Sequence, residues 1–479
     1  MKPSQYNCSW ENEKQELVIH NTYTGAMEIV SGAVREVVSS LFSGERLFTS
    51  DLVQLHTIGL AMRLYSAGFL VDDERDECGE MQADYLRNKF GLPDHKKWDI
   101  AIAPTMACNF DCTYCYAAVK RGAIMSREVE ARLTERIFEY LDSSGVKAVN
   151  TNWIGGEPLM NVPAMRRISE KLYTYCGEKK MQFTASLITN GSLMTEELAG
   201  ELAYPPFNIQ YLQITVDAFW HDQSRPFRHR NGKSSLEATL LGLRNAVKHM
   251  PGRIWVRVNI PYQPDLTPAQ VSQYISKLKR DMGITNQVSF YLAAVQPATD
   301  NARLGDVSKW PAAEYARFQR AVEEGLAHDC GTMHTPGMPF RSRVPCAYEY
   351  KENVCVDSAG YVYKCWHHLG VPERIIGSIS KPFGHDSYSG STAYHKWLAW
   401  SPFDTKCKSC KSLPNCMGFC YDYAFELGKD DEGRCLRKKF TMREDCLDQV
   451  EAVLQQRLVA QLGATGCEGA CTGVNCDRK

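Results

Sequence analysis

Cys108-Asn109-Phe110-Asp111-Cys112-Thr113-Tyr114-Cys115 puts three thiols on one short loop, with three and then two residues between them. Thiolates are soft ligands, and this spacing lets a single loop wrap a metal cluster. Three thiolates would hold three irons of a [4Fe–4S] cube and leave the fourth open to a small molecule, as an open zinc position binds water. A zinc knuckle, or three unconnected buried thiols, is the alternative reading. Further along, Gly155-Gly156-Glu157-Pro158 falls where the next strand should end. Two glycines let a backbone approach a ligand closely, and the glutamate can receive an ammonium.

A second cysteine region follows. It reads Cys407-x2-Cys410-x5-Cys416-x3-Cys420, then Cys435, with Cys346 and Cys365 upstream on either side of Gly360. Zinc ribbons also use Cys-x2-Cys pairs, so zinc is the plain alternative here. A chain of 479 residues does not need disulfide staples, so its 19 cysteines point to metal binding or catalysis in a reducing compartment. Cys8, Cys78, Cys176, Cys330 and Cys446 read as structural thiols. Cys467, Cys471 and Cys476 lie in a small, polar C-terminal tail.

Composition narrows the class. Hydrophobic residues at 44% and charged residues at 23% describe an ordinary globular chain of about three domains. With 55 basic and 56 acidic residues the formal charge is −1, which gives no support to a nucleic-acid or membrane-surface binder. No apolar run approaches a membrane span, and the polar N-terminus has no signal-peptide core. The expected location is the cytoplasm.

The elements that must position the cysteines are legible as patterns. Leu17–Ile19 and Ala26–Val30 read as a hairpin around the Asn21–Gly25 turn. Val34, Val37, Val38 and Leu41 have helical spacing, as do Leu52, Leu55, Leu60 and Leu64 after a Ser50 cap. A short strand at Phe69–Asp73 completes a winged-helix-like unit over residues 1–92, with the charged stretch Asp72–Glu80 as a linker. From residue 97, strands at 98–103, 149–154, 183–189, 209–216, 253–260 and 288–292 alternate with helices. Six β-then-α units predict an α/β fold with a partial (β/α)6 barrel over 93–340, short of the eight of a closed barrel. Reactive groups then belong at the C-terminal strand ends. Asn190-Gly191 closes the third strand, Thr215 and Asp217 the fourth, and Arg257 and Asn259 share one face of the fifth. Residues 341–440 are cysteine-rich with few periodic segments, and 441–479 hold a helix from Lys438 to Gln461 and the tail.

The 97–330 segment resembles the radical SAM superfamily, whose signature is Cys-x3-Cys-x2-Cys with an aromatic residue, here Tyr114, before the last cysteine. The resemblance implies that Cys108, Cys112 and Cys115 bind a [4Fe–4S] cluster whose open iron chelates S-adenosylmethionine. It further implies that Gly155, Gly156 and Glu157 contact the SAM amino group and that Tyr114 lies beside adenine. Thr215 and Arg257 are the candidates near the ribose or carboxylate. Residues 346–440 resemble the SPASM domain of radical SAM maturases. This implies two auxiliary [4Fe–4S] clusters, the first on Cys346, Cys365 and Cys420 with Cys355 as fourth ligand. The second would take Cys407, Cys410, Cys416 and Cys435. In anaerobic sulfatase-maturing relatives an aspartate base follows the cysteine after the Gly-x4 spacing; here Cys365 is followed by Trp366-His367-His368, which argues against that chemistry.

Residues 12–75 resemble the recognition element of enzymes that modify ribosomally synthesised peptides. Such a unit binds a leader by adding its extended chain to a sheet edge. Together the resemblances imply a peptide maturase that uses a 5′-deoxyadenosyl radical, fed by an electron donor such as flavodoxin or ferredoxin. Its expected product is an intramolecular thioether, C–C or C–O cross-link. Modification of a folded protein partner, and epimerisation or excision on a peptide, are the alternatives within the class. A zinc-stapled binding protein is the alternative outside it.

Overall fold

The computed structural model describes residues 1–43, 59–91, 96–115, 117, 121–229, 232–284, 287–295, 310–330, 341–422, 435 and 438–465. A short strand β1 (Lys2–Pro3) precedes a three-stranded antiparallel sheet of β2 (Asn7–Glu11), β3 (Leu17–Asn21) and β4 (Met27–Val30). The expected hairpin is the β3–β4 pair. β2 is too polar to show a strand pattern, yet it covers the other side of β3. α1 (Arg35–Ser43) turns Val38 and Leu41 onto Leu17, Ile19 and Val30. α2 (Leu60–Ser66) adds Ala61 and Leu64 to the same core. Ser50, Leu52 and Leu55 lie outside the described residues. β5 (Leu70–Val71) returns to pair with β1.

The charged stretch expected as a linker is instead a helix start. Asp76 accepts from Gly79 N (2.9 Å) and caps α3 (Glu77–Phe90). Cys78, Met81 and Tyr85 then line its buried side. Acidic residues at a helix N-terminus are favourable, so a charge run of this kind serves as a cap.

The parallel strands follow. β6 (Lys97–Ile102) leads to a small hairpin of β7 (Thr105–Ala107) and β8 (Arg121–Ile124). Then come α4 (Arg127–Ser144), β9 (Ala148–Trp153), α5 (Val162–Glu178), β10 (Gln182–Thr189), α6 (Glu196–Ala203), β11 (Ile209–Thr215), α7 (Ser235–His249), β12 (Ile254–Ile260), α8 (Pro268–Met282) and β13 (Val288–Ala294). Ser126, Thr195, Ser234 and Thr267 cap their helices, their side-chain oxygens accepting from backbone N–H groups of the first turn. The six long strands pair in parallel in chain order, β6-β9-β10-β11-β12-β13. Their apolar residues and those of the flanking helices form the main core.

The sheet does not end at β6. β14 (Val354–Val356) pairs with β6 in parallel, and β15 (Tyr361–Tyr363) and β16 (Gly377–Ser378) continue antiparallel, giving nine strands in all. These strands are two or three residues long, below what periodicity can resolve. α9 (Ala312–Cys330) and α10 (Lys438–Thr465) close the chain, tied by Arg320 to Asp445 (2.7 Å). Between α7 and the end of β10 the packing leaves no room for a side chain. A Cβ on Gly242 of α7 would lie 1.9 Å from Gly191 O, at the end of β10. Gly242→Ala should therefore destabilise the fold by about 1–3 kcal/mol, read by urea denaturation; an unchanged midpoint would contradict this packing.

Candidate active site

The cysteine loop begins where β7 ends and is held down by the segment after β11. Thr113 N donates to Ser224 O (2.9 Å), Asp111 N to Pro226 O (2.8 Å) and Arg228 N to Asn109 O (2.8 Å). Arg228 Nε reaches Cys108 O (3.1 Å). Phe110 packs edge-on against Phe227, with centroids 4.9 Å apart. Cys108, Cys112 and Cys115 carry no disulfide. Burial pushes the Cys108 thiol up to about 12, and the charges of Glu157, Cys112 and Cys115 push the same way. Cys108 is thus poorly solvated and within electrostatic reach of Cys112, Cys115 and the Glu157 carboxylate. A metal's positive charge would reverse that penalty by stabilising thiolates, so this donor set fits an iron–sulfur cluster.

Tyr114 joins the loop to the strand ends. Its phenol donates to Asp217 and accepts from Arg225 Nη1 (2.7 Å) and Asn259 Nδ2 (2.9 Å). Asn259 also donates to Asp217 Oδ1 (3.1 Å), and Ser224 Oγ to Asp217 Oδ2 (2.8 Å). Burial holds the Tyr114 phenol well above its ordinary value, so it stays neutral. Burial alone would weaken the Arg225 guanidinium, but Cys112, Tyr114 and Asp217 hold it protonated. A permanent cation therefore stands within electrostatic reach of Cys112. Arg257 Nε donates to Asn259 Oδ1 (2.8 Å), and Thr215 lies in register beside Arg257 on the neighbouring strand. The structure thus links Tyr114 with Arg257 through Asn259. Asp217 and Arg225 are the network members that spacing alone did not assign a role. Asp217 has a signal, two residues beyond Thr215 at a strand end; Arg225 sits in an irregular segment and has none.

Glu157 is 1% exposed. Its carboxylate accepts from Leu159 N (3.0 Å), Thr189 Oγ1 (2.7 Å) and Asn190 N (2.8 Å). Burial raises its pKa, and these donors oppose the rise. The glycines before it press on the backbone that feeds the cysteines. Gly156 N donates to Thr105 O (3.1 Å) and Glu157 N to Ala107 O (2.8 Å). A Cβ on Gly156 would meet Ala107 O at 2.1 Å, and Gly155 adopts φ +130°. Both positions therefore require glycine for this close approach.

The later cysteines form a second neighbourhood. Cys355 is buried on β14, beside Ala101 of β6 and opposite Tyr363. Burial is the main cause that raises the Cys346, Cys355 and Cys365 thiols, and neighbouring thiols add to it: Cys346 for Cys355, and Cys420 and Cys355 for Cys365. These thiols stand pairwise within electrostatic reach of one another, a donor set that again fits a cluster. Lys364 lies among them. Burial pulls its ammonium down to about 7 against the opposing charges of Glu349 and Cys355. On the far side of Cys365, His368 Nε2 lies 2.6 Å and His367 Nδ1 3.4 Å from the Asp422 carboxylate. Burial would raise Asp422, but the two histidines hold it well below the usual carboxylate range. Cys365 Sγ, a His368 ring nitrogen and an Asp422 oxygen all lie within 4.8 Å of one another.

Cys407, Cys410 and Cys416 occupy one compact turn. Lys439 reaches Cys435 Sγ (3.7 Å) and lines the same cavity of about 320 Å³ as Cys8 and Cys410. Thr22 Oγ1 donates to Lys411 O (2.5 Å), and Asn415 Nδ2 to Thr22 O (3.2 Å), so the β3–β4 turn is anchored on this cysteine turn. Cys467, Cys471 and Cys476 lie outside the described residues.

Two outcomes test this geometry. Gly156→Ala should lower the iron retained after reconstitution, because the added methyl displaces the backbone before Cys108; iron equal to wild type would contradict the contact. The second concerns His221, whose Nδ1 accepts from Asp217 N (3.1 Å). Burial, aided by Arg225, depresses its pKa from 6.5 to about 3. As pH falls the unfolded chain takes up this proton first, so stability is full above about 6.5 and declines towards 3. At pH 5 the loss should be on the order of 2 kcal/mol. His221→Gln should remove that part of the pH dependence in apo-protein denaturation; identical pH profiles would contradict it.

Comparison with known proteins places this geometry. Residues 102–278 match the family model of the Radical SAM superfamily. The radical SAM cyclopropyl synthase TigE of Paramaledivibacter caminithermalis is 23% identical over 158 residues, 30% of this chain and 31% of that protein. The matched segment spans roughly a third to a half of the length of the first curated relatives. Streptococcus suis SuiB bound to precursor peptide SuiA shares the fold at TM-score 0.50 and 15% identity, covering 91% of this chain and all (100%) of that one. The enzyme anSMEcpe with bound AdoMet and Cp18Cys peptide does so at TM-score 0.54 and 15% identity, covering 76% and 99%. Residues 102–278 are a radical SAM domain, and to that superfamily a [4Fe–4S] cluster and S-adenosylmethionine belong.

Proposed function

We propose that this enzyme is a radical SAM/SPASM maturase that removes hydrogen from a ribosomally made precursor peptide and closes a cross-link within it. The observation that carries this reading is the β6–β14 pairing. It sets Cys355 against Ala101, six residues before the backbone that Gly156 presses upon, so strand β6 joins the β14 cysteine to the segment leading into the Cys108 loop. Cys108, Cys112 and Cys115 would hold the first cluster. Cys346, Cys355, Cys365 and Cys420 would hold one auxiliary cluster, and Cys407, Cys410, Cys416 and Cys435 the other. When bound, the first cluster and S-adenosylmethionine supply a 5′-deoxyadenosyl radical that abstracts a hydrogen atom.

The chain's own residues position and shield. Tyr114, Asp217, Asn259 and Arg225 fix the cysteine loop on the C-terminal strand ends, with Thr215 and Arg257 beside them. The Glu157 carboxylate acts on the Cys108 thiol and would receive the SAM amino group. Residues 1–92 would take the leader along the antiparallel sheet, 93–340 would carry the radical chemistry, 341–440 would hold the auxiliary clusters, and 441–479 would form a C-terminal helix and tail. The atoms balance. One hydrogen leaves as 5′-deoxyadenosine, a second as a proton, and closing the bond releases one electron for an auxiliary cluster to accept.

One observation favours a second reading. Trp366 follows Cys365, but Asp422 arrives from a distant segment beside that cysteine with His367 and His368. A carboxylate and two imidazoles there could take a proton from a serine or cysteine of a folded partner. Reduced, reconstituted enzyme should convert S-adenosylmethionine to 5′-deoxyadenosine. With a candidate precursor peptide, mass spectrometry should show a product lighter by two hydrogens. Activity of the Cys108→Ala variant, or modification of a folded partner but no peptide, would overturn the proposal.

A further inference from the structure

Two lysine ammoniums are buried between α3, β15 and the segment around Trp397. Lys89 is 0% and Lys364 1% exposed. Lys364 Nζ donates to three carbonyls, Tyr350 O (2.7 Å), Asn353 O (2.7 Å) and Lys351 O (3.2 Å). It also lies 4.1 Å from the centre of the Trp397 ring. Lys89 approaches the same ring at 4.7 Å and meets Trp397 O (2.9 Å), Trp400 O (2.7 Å) and Glu349 Oε1 (3.0 Å). A neutral amine has two N–H donors and cannot serve three acceptors, whereas an ammonium has three donors and no lone pair. The contacts of Lys364 therefore specify its charged form, with an indole face as a further partner for the cation.

Burying a cation is costly, and a lysine that only tied down the 350–353 loop would be an expensive tie. Its neighbours supply a reason. Lys364 precedes Cys365 in the chain and follows Tyr363, which pairs with Cys355; its Nζ holds the 350–353 carbonyls between Cys346 and Cys355, and its charge acts on both thiols. We propose that Lys364 supplies a buried positive charge that raises the reduction potential of the auxiliary cluster held by Cys346, Cys355, Cys365 and Cys420. This rests on the assignment of that cluster made above. A cluster on four thiolates is anionic and becomes more so on accepting an electron, so a cation in low dielectric favours the reduced state. Lys364 thereby makes this cluster the acceptor for the electron released when the cross-link closes. Glu349, which also accepts from Tyr85 OH (2.7 Å), is the counter-charge. Glu352, Asp99 and Asp422 also act on this neighbourhood. They set the baseline but not the direction in which removing one charge moves it.

The test is an EPR-monitored redox titration of the full chain, reconstituted with iron and sulfide, with Cys108, Cys112 and Cys115 replaced by Ala to silence the first cluster. Lys364→Met should move the first auxiliary midpoint to lower potential. Glu349→Gln, which keeps an acceptor for Lys89 and Tyr85, should move it to higher potential. If Lys364→Met loses its cluster, the Glu349→Gln shift decides alone. Midpoints that stay in place, or that move the same way in both variants, overturn the inference. Unchanged iron in Cys355→Ala and Cys365→Ala would instead overturn the cluster assignment beneath it.

Discussion

Strand β14 lies beside β6 in parallel, with Val354, Cys355 and Val356 opposite Ile100, Ala101 and Ile102. Backbone pairing of this kind admits no slip of one residue without turning every side chain to the other face. Cys355 is thereby held in the apolar layer of Ala101, Ala103, Met106 and Ile154. Met106 and Ala107 lead directly into Cys108, so the layer that seats one set of sulfurs also carries the loop bearing the other. The later chain is not an appendage on a finished barrel but three further strands of the same sheet.

Burial governs the chemistry on both sides of that layer. Where water is excluded, each polar group needs an internal partner, and the site is built from such pairings. Tyr114 has three and Glu157 has three. Burial pushes the Cys108, Cys346, Cys355 and Cys365 thiols up and keeps them protonated until a metal arrives. Loading the clusters is therefore coupled to proton release and to the ordering of the loops that carry them. The cations Arg225 and Lys364 stand one beside each cysteine neighbourhood, in reach of Cys112 and Cys355 respectively.

Much of this was legible in the residues. The six long strands and their helices carry strong periodicity and capped helix starts, and they stand where the patterns place them. The cysteine loop and Gly155-Gly156-Glu157 are legible because their chemistry requires particular residue types at fixed spacing. Strands β14 to β16 are too short for alternation to register, and their role depends on pairing with a strand some 250 residues earlier in the chain. Asp422 beside Cys365 and Lys364 beside Lys89 are meetings of distant segments that no local window contains. The helix of Glu77–Phe90 was hidden by its own acidic first turn, which reads equally as a linker.

The account depends most on the sulfurs forming three separate iron–sulfur sites. Iron, sulfide and zinc per chain, measured after anaerobic reconstitution, test that directly. Three [4Fe–4S] clusters require about twelve iron and about twelve sulfide, with about eight of each left when Cys108, Cys112 and Cys115 are replaced by Ala. About four iron with zinc on the remaining cysteines would contradict the account. It would leave a radical SAM domain joined to a zinc-stapled region that accepts no electron.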